Sequence, residues 1–100
     1  MRTVRYHPEA RAEFLHEVRY YAAISPRLAE RYDSAVHAAE AAAASTPQAW
    51  PRYKHKTRRV IERRFKFSLV YLHTDREVYV VAVAPTDRKP GYWKTRLAGV

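Results

Sequence analysis

The chain has no cysteine and only two glycines in 100 residues. Without cysteine there is no disulfide scaffold, no thiolate zinc site and no thiol nucleophile. Two isolated glycines, Gly91 and Gly99, cannot build a P-loop or a dinucleotide-binding turn, which both need clustered glycine. No apolar run approaches the roughly 20 residues of a membrane helix. The N-terminus lacks the apolar block of a signal peptide. The expectation is a cytoplasmic protein with no membrane partner. The five histidines, His7, His16, His37, His55 and His73, never fall two or four residues apart. No metal and no cofactor is therefore expected. No Gly-x-Ser-x-Gly turn occurs, which argues against acyl transfer. The acidic residues form no clear pair for acid/base work.

What is present fits one small domain spanning residues 1–100, with 47% apolar residues to supply a core. The charge is segregated. Residues 1–50 hold six Lys/Arg against six Asp/Glu, while residues 51–100 hold thirteen against four, which accounts for the whole +9. Between Arg52 and Lys66 there are eight basic residues and one acid, Glu62. Such a surface attracts polyanions or an acidic protein. A solvated face serving only solubility is the plain alternative, and confinement of all the excess charge to one half argues against it.

The hydrophobic periodicity predicts a β-α-α-β-β-β order. Val4 and Tyr6 share one face of a short first strand. A first helix starts at Pro8 and runs to about Ile24, with Phe14, Val18, Tyr21 and Ala22 at helical spacing. Ser25-Pro26 opens a second helix that runs to about Ser45, with a stripe of Leu28, Tyr32, Val36, Ala39 and Ala43. The near absence of a linker makes these an antiparallel hairpin. The period then becomes two. Arg58–Arg64 reads as a strand with Val60 and Glu62 on one face and Arg59, Ile61 and Arg63 on the other. Phe65, Phe67, Leu69, Tyr71 and His73 share a face of the next. In Glu77–Ala84 the residues Val78, Val80, Ala82 and Ala84 alternate with Tyr79, Val81 and Val83, so both faces are apolar and the strand reads as central. The fold class is α+β: an antiparallel helical hairpin on a small, mostly antiparallel sheet. Phe14, Val18, Leu28, Tyr32 and Val36 are expected to pack on Leu69, Val80 and Ala82. The opposite sheet face is expected to stay partly open and to carry basic side chains.

Two segments could carry chemistry: the basic strand, and Asp87 to Arg96, where cations alternate with aromatics. Basic and aromatic side chains together can grip phosphate and stack bases. A metal-free ribonuclease also needs a proton-exchanging group, for which His55, His73, Tyr71, Tyr92 and loop lysines are the candidates. No spacing unites them, and the commoner role for aromatics such as Tyr92 and Trp93 is to anchor the tail on the core.

The ordered pieces resemble the RelE/ParE toxins of bacterial type II toxin–antitoxin systems, most closely the ParE, or plasmid-stabilisation, branch. They are His7-Pro8-Glu9-Ala10, Tyr20-Tyr21, Ser25-Pro26-Arg27-Leu28-Ala29, Trp50-Pro51, Arg58-Arg59 through Arg64-Phe65, Leu69-Val70-Tyr71, Val80–Ala84 and Arg88–Trp93. The resemblance implies a toxin held in a hetero-oligomer by a cognate acidic antitoxin. In the ParE branch the implied target is DNA gyrase, inhibited without catalysis. In the RelE branch the toxin cleaves mRNA on the ribosome, and Arg58 or Arg59, Arg88 and Tyr92 match positions used there, with Lys54 and Lys56 as approximate loop counterparts. Many relatives carry a histidine where this chain has Pro85, which favours the non-enzymatic reading. An inactive nucleic-acid-binding module of the same fold is the third alternative. The residues expected to meet antitoxin or target are Arg58, Arg59, Arg63 and Arg64 on the strand, then Arg88, Lys89, Tyr92, Trp93 and Arg96 near the C-terminus.

Overall fold

A computed structural model describes residues 1–99. Strand β1 (Thr3–Tyr6) leads into helices α1 (Pro8–Ile24) and α2 (Pro26–Ser45), followed by strands β2 (Arg58–Glu62), β3 (Phe67–His73) and β4 (Glu77–Pro85). The sheet order is β1-β4-β3-β2, with β1 parallel to β4 and the remaining pairs antiparallel. This is the expected α+β arrangement.

Local chemistry sets the helix ends. The His7 Nδ1 accepts the Glu9 amide at 3.1 Å, and Pro8 occupies the first turn, where no amide is needed. Ser25 serves both helices. Its amide donates to the Tyr21 carbonyl at 2.9 Å, ending α1, and its hydroxyl accepts the Leu28 amide at 3.4 Å, starting α2. One residue thus replaces a linker. The β3–β4 hairpin closes without glycine because the Thr74 hydroxyl accepts the amides of Arg76 and Glu77.

The helices cover one sheet face. Tyr32, Val36, Ala39 and Ala43 of α2 are buried there against Val60, Phe67, Leu69, Tyr71, Val78 and Val80. Phe14, Val18 and Tyr21 of α1 pack half-buried at its margin. Leu28, expected in this core, is only half-buried. The wholly buried Tyr32 takes the central place, ringed by Phe14, Tyr21, Phe65 and Phe67 with centroids 5.2–6.0 Å away. Its hydroxyl has no protein hydrogen-bond partner among the described residues. An unpaired buried hydroxyl opposes folding. Tyr32→Phe is therefore expected to leave the urea midpoint unchanged or raise it, and a loss of about 1 kcal/mol or more would reveal a bond the hydroxyl makes in solution.

The expected alternation in β4 fails at Val81. Val70 pairs with Ala82 but Tyr71 with Val80, so Val81 is an extra residue in the ladder. A bulge of this kind exchanges the faces beyond it. Val78, Val80 and Val83 face the helices, whereas Tyr79, Val81, Ala82 and Ala84 face away. Ala82 therefore does not meet α2. Nor is the second face open over β3 and β4: Trp93, Tyr53, Tyr92 and Leu97 cover it. On that face the basic side chains of Arg5 and Arg59 lie on the outer strands, each over a tyrosine ring, at the border of that cover.

Candidate functional site

Strand pleating divides the basic strand. Arg58 pairs with Tyr71 in the ladder and shares its helix-side face, where its guanidinium donates to the Trp50 carbonyl at 2.6 Å. It pins the loop 46–57. Arg59 lies on the opposite face, with its guanidinium 4.0 Å from the centre of the Tyr53 ring. Arg63 and Arg64 fall beyond β2, in the turn that Glu62 closes by accepting the Phe65 amide at 2.6 Å. Arg64 points into solvent, 3.6 Å from Glu62.

A pocket of about 240 Å³ opens on the second sheet face. Arg59 and Arg63 come to it from the β2 side, Arg88 and Lys89 from the turn after β4, and Tyr53, Tyr92 and Trp93 form its aromatic wall. Among the described residues no carboxylate lines it. Of the nine residues expected at the site, the fold brings Arg59, Arg63, Arg88, Lys89, Tyr92 and Trp93 together here. It sends Arg58 to the other face, leaves Arg64 in solvent outside the pocket and takes Arg96 into the neighbouring cleft beside Glu13. Trp93 is wholly buried and contributes packing. Arg96 is also buried, in an ion pair with Glu13 of α1.

Glu13 is the residue that sequence reasoning passed over. Its Oε1 accepts the Val83 amide at 3.0 Å and Arg96 Nη1 at 2.9 Å. Its Oε2 accepts Arg96 Nη2 at 3.0 Å and the Tyr92 hydroxyl, and Arg88 stands 3.6 Å away. The available signal was the four-residue spacing of Glu9, Glu13 and Glu17, which places three acids along one face of α1. A larger cleft of about 570 Å³ on the far side of Arg88 is lined by these acids, His16 and Arg96, so its charge is mixed.

The proton-exchange candidates are divided between the two faces of the sheet. Burial pushes the Tyr92 phenol up, with the Glu13 carboxylate adding to it. The Tyr71 hydroxyl donates to the Pro47 carbonyl at 2.6 Å on the helix side, and burial raises it to about 12. His73 sits on that same face, its pKa lowered by burial and then by Arg58 and Arg2. On the other face Tyr92 lines the pocket, and the His55 ring stands near it, edge-on to Trp93 with centroids 5.6 Å apart. Its left-handed φ of 61° is followed by Lys56 at 65°, and the Gly91 Cα approaches so closely that a Cβ there would lie 3.3 Å from His55 Nε2. Glycine at 91, with φ of 87°, answers both the conformation and the approach. No group of His, Asp and Glu that could hold a metal ion occurs among the described residues. No helix among them is long and apolar enough to cross a membrane.

No curated protein matches the chain. A family model described as the ParE toxin of type II toxin–antitoxin system, parDE, matches residues 4–90. The match spans both helices and all four strands, and it stops before Tyr92, Trp93 and Arg96. The order of elements, the sheet topology and this match agree: the chain belongs to the ParE toxin family of type II toxin–antitoxin systems.

Proposed function

We propose that this toxin acts by binding, with DNA gyrase as its target, and that an acidic cognate antitoxin neutralises it by covering the basic pocket. The observation that carries this reading is the convergence of Arg59, Arg63, Arg88 and Lys89 on one pocket with no lining carboxylate among the described residues. Four like charges around a small concavity, of which Arg88 alone is partly offset by Glu13 at 3.6 Å, repel one another and gain most when an anionic surface arrives. The toxin family supplies the antitoxin as the partner class.

The chemistry of the candidate acids and bases supports binding over cleavage. General acid/base catalysis works best with a group that titrates near neutral pH. Tyr92 spends its hydroxyl on Glu13, Tyr71 is sealed on the far side of the sheet, and His73 lies on that side too. The deciding experiment treats gyrase supercoiling and, separately, RNA in metal-free buffer with purified toxin. The expected result is inhibited supercoiling, intact RNA, and toxicity that survives His55→Ala and His73→Ala together. Metal-free RNA cleavage that a single His55 or Tyr92 substitution abolishes, with circular dichroism unchanged, would replace this reading with an endoribonuclease.

A further inference from the structure

Residues 92–99 follow the family match and attach to the rest of the molecule in an unusual way. Their described backbone hydrogen bonds are local: Tyr92 to Lys89, Lys94 to Gly91, Arg96 to Trp93 and Ala98 to Thr95. None of these joins the segment to the sheet. Its anchors are the packing of Trp93 on Val70, Val81 and Ala82, and polar contacts from Tyr92 and Arg96 that converge on Glu13.

The edge of β4 explains why those contacts form. β1 ends at Tyr6, opposite Val80, with the His7 amide adding one more bond to the Val80 carbonyl. Beyond that point this edge of β4 has no strand beside it. The Arg96 guanidinium donates to the Val81 carbonyl at 3.1 Å, and Glu13 accepts the Val83 amide. An ion pair between the first helix and the C-terminal segment thus takes the place of the missing strand.

We propose that residues 92–99 form a strap, locked mainly by the Glu13 carboxylate with Glu9 3.8 Å from Arg96 Nε beside it, that opens as its own unit ahead of global unfolding. Separating these local turns from the sheet breaks no ladder bonds, and its cost is confined to the exposure of Trp93 and the loss of the Tyr92 and Arg96 contacts. The closed state depends on Glu13, since without it the buried Arg96 keeps only the exposed Glu9 at 3.8 Å and the Val81 carbonyl as partners, and an under-compensated buried charge is unfavourable. The open state, with Arg96 in water, does not. Opening bares Val81 and Ala82 and removes the wall that Tyr92 and Trp93 give the basic pocket. The strap therefore links α1 to the shape of that pocket.

Native-state amide exchange on the full chain tests this. In the wild type, the Lys94 and Arg96 amides are expected to exchange through an opening that depends weakly on urea, well before the β3–β4 ladder amides. Glu13→Gln should speed the strap amides about tenfold or more beyond any change in the ladder. Strap and ladder exchanging in step in the wild type would overturn the proposal. So would an equal acceleration of both in the variant. If Glu13→Gln fails to fold, the wild-type comparison decides alone.

Discussion

Trp93→Ala is expected to cost about 3–5 kcal/mol of folding stability, the range for emptying a large aromatic site in a core. That is a large share of the roughly 5–15 kcal/mol available to a domain of this size. The indole is fully buried, with Tyr53 and His55 beside it at 6.0 and 5.6 Å between ring centroids. It is also the main apolar cover over Val70, Val81 and Ala82. Removing it leaves a cavity and wets the second sheet face. Urea unfolding followed by far-ultraviolet circular dichroism measures the loss. An unchanged midpoint would mean that the C-terminal segment does not pack on the sheet in solution.

The second large effect concerns charge. Arg59→Ala combined with Arg88→Ala should slow association with the acidic antitoxin about tenfold at low salt and flatten its salt dependence. Both side chains face the pocket, from opposite sides. Arg64→Ala is the control, since Arg64 stands in solvent beside Glu62 and outside the pocket. Arg58 is not interchangeable with Arg59. Its removal breaks the bond to the Trp50 carbonyl and loosens the loop, so its effect mixes folding with binding. Stopped-flow association at two salt concentrations separates the variants. Equal slowing by Arg64→Ala and by the Arg59/Arg88 pair would show that overall charge, and not this pocket, steers the antitoxin.

The pocket's composition was largely present in the sequence, and its assembly was not. The run from Arg52 to Lys66 and the cations after Pro85 announced a basic surface. Which of them meet depends on pleating, which sends Arg58 and Arg59 to opposite faces, and on the turn after Glu62, which takes Arg63 and Arg64 off the strand. Tyr92, Trp93 and Arg96 read as contacts for a partner, with anchoring of the tail on the core as the other role for Tyr92 and Trp93. The fold uses Trp93 and Arg96 to close itself, because a C-terminal segment that packs on the sheet must bury its largest aromatic and pair its buried charge.

By itself, the sequence determined the order of elements, the two helix boundaries and the helix-side core around Tyr32, Val36, Leu69 and Val80. These follow from local forces: proline and serine at helix starts, and apolar side chains recurring at the period of the element that carries them. Tertiary structure alone decided the parallel seat of β1 beside β4, the bulge at Val81, and the meeting of Glu13 with Arg96 across 83 residues. None of these has a local signature. The bulge changes the face of every residue after it without changing the apolar pattern, since both sides of β4 are apolar. Glu13 looks like any solvated helix acid until β1 stops at Tyr6 and leaves an amide of β4 in need of an acceptor.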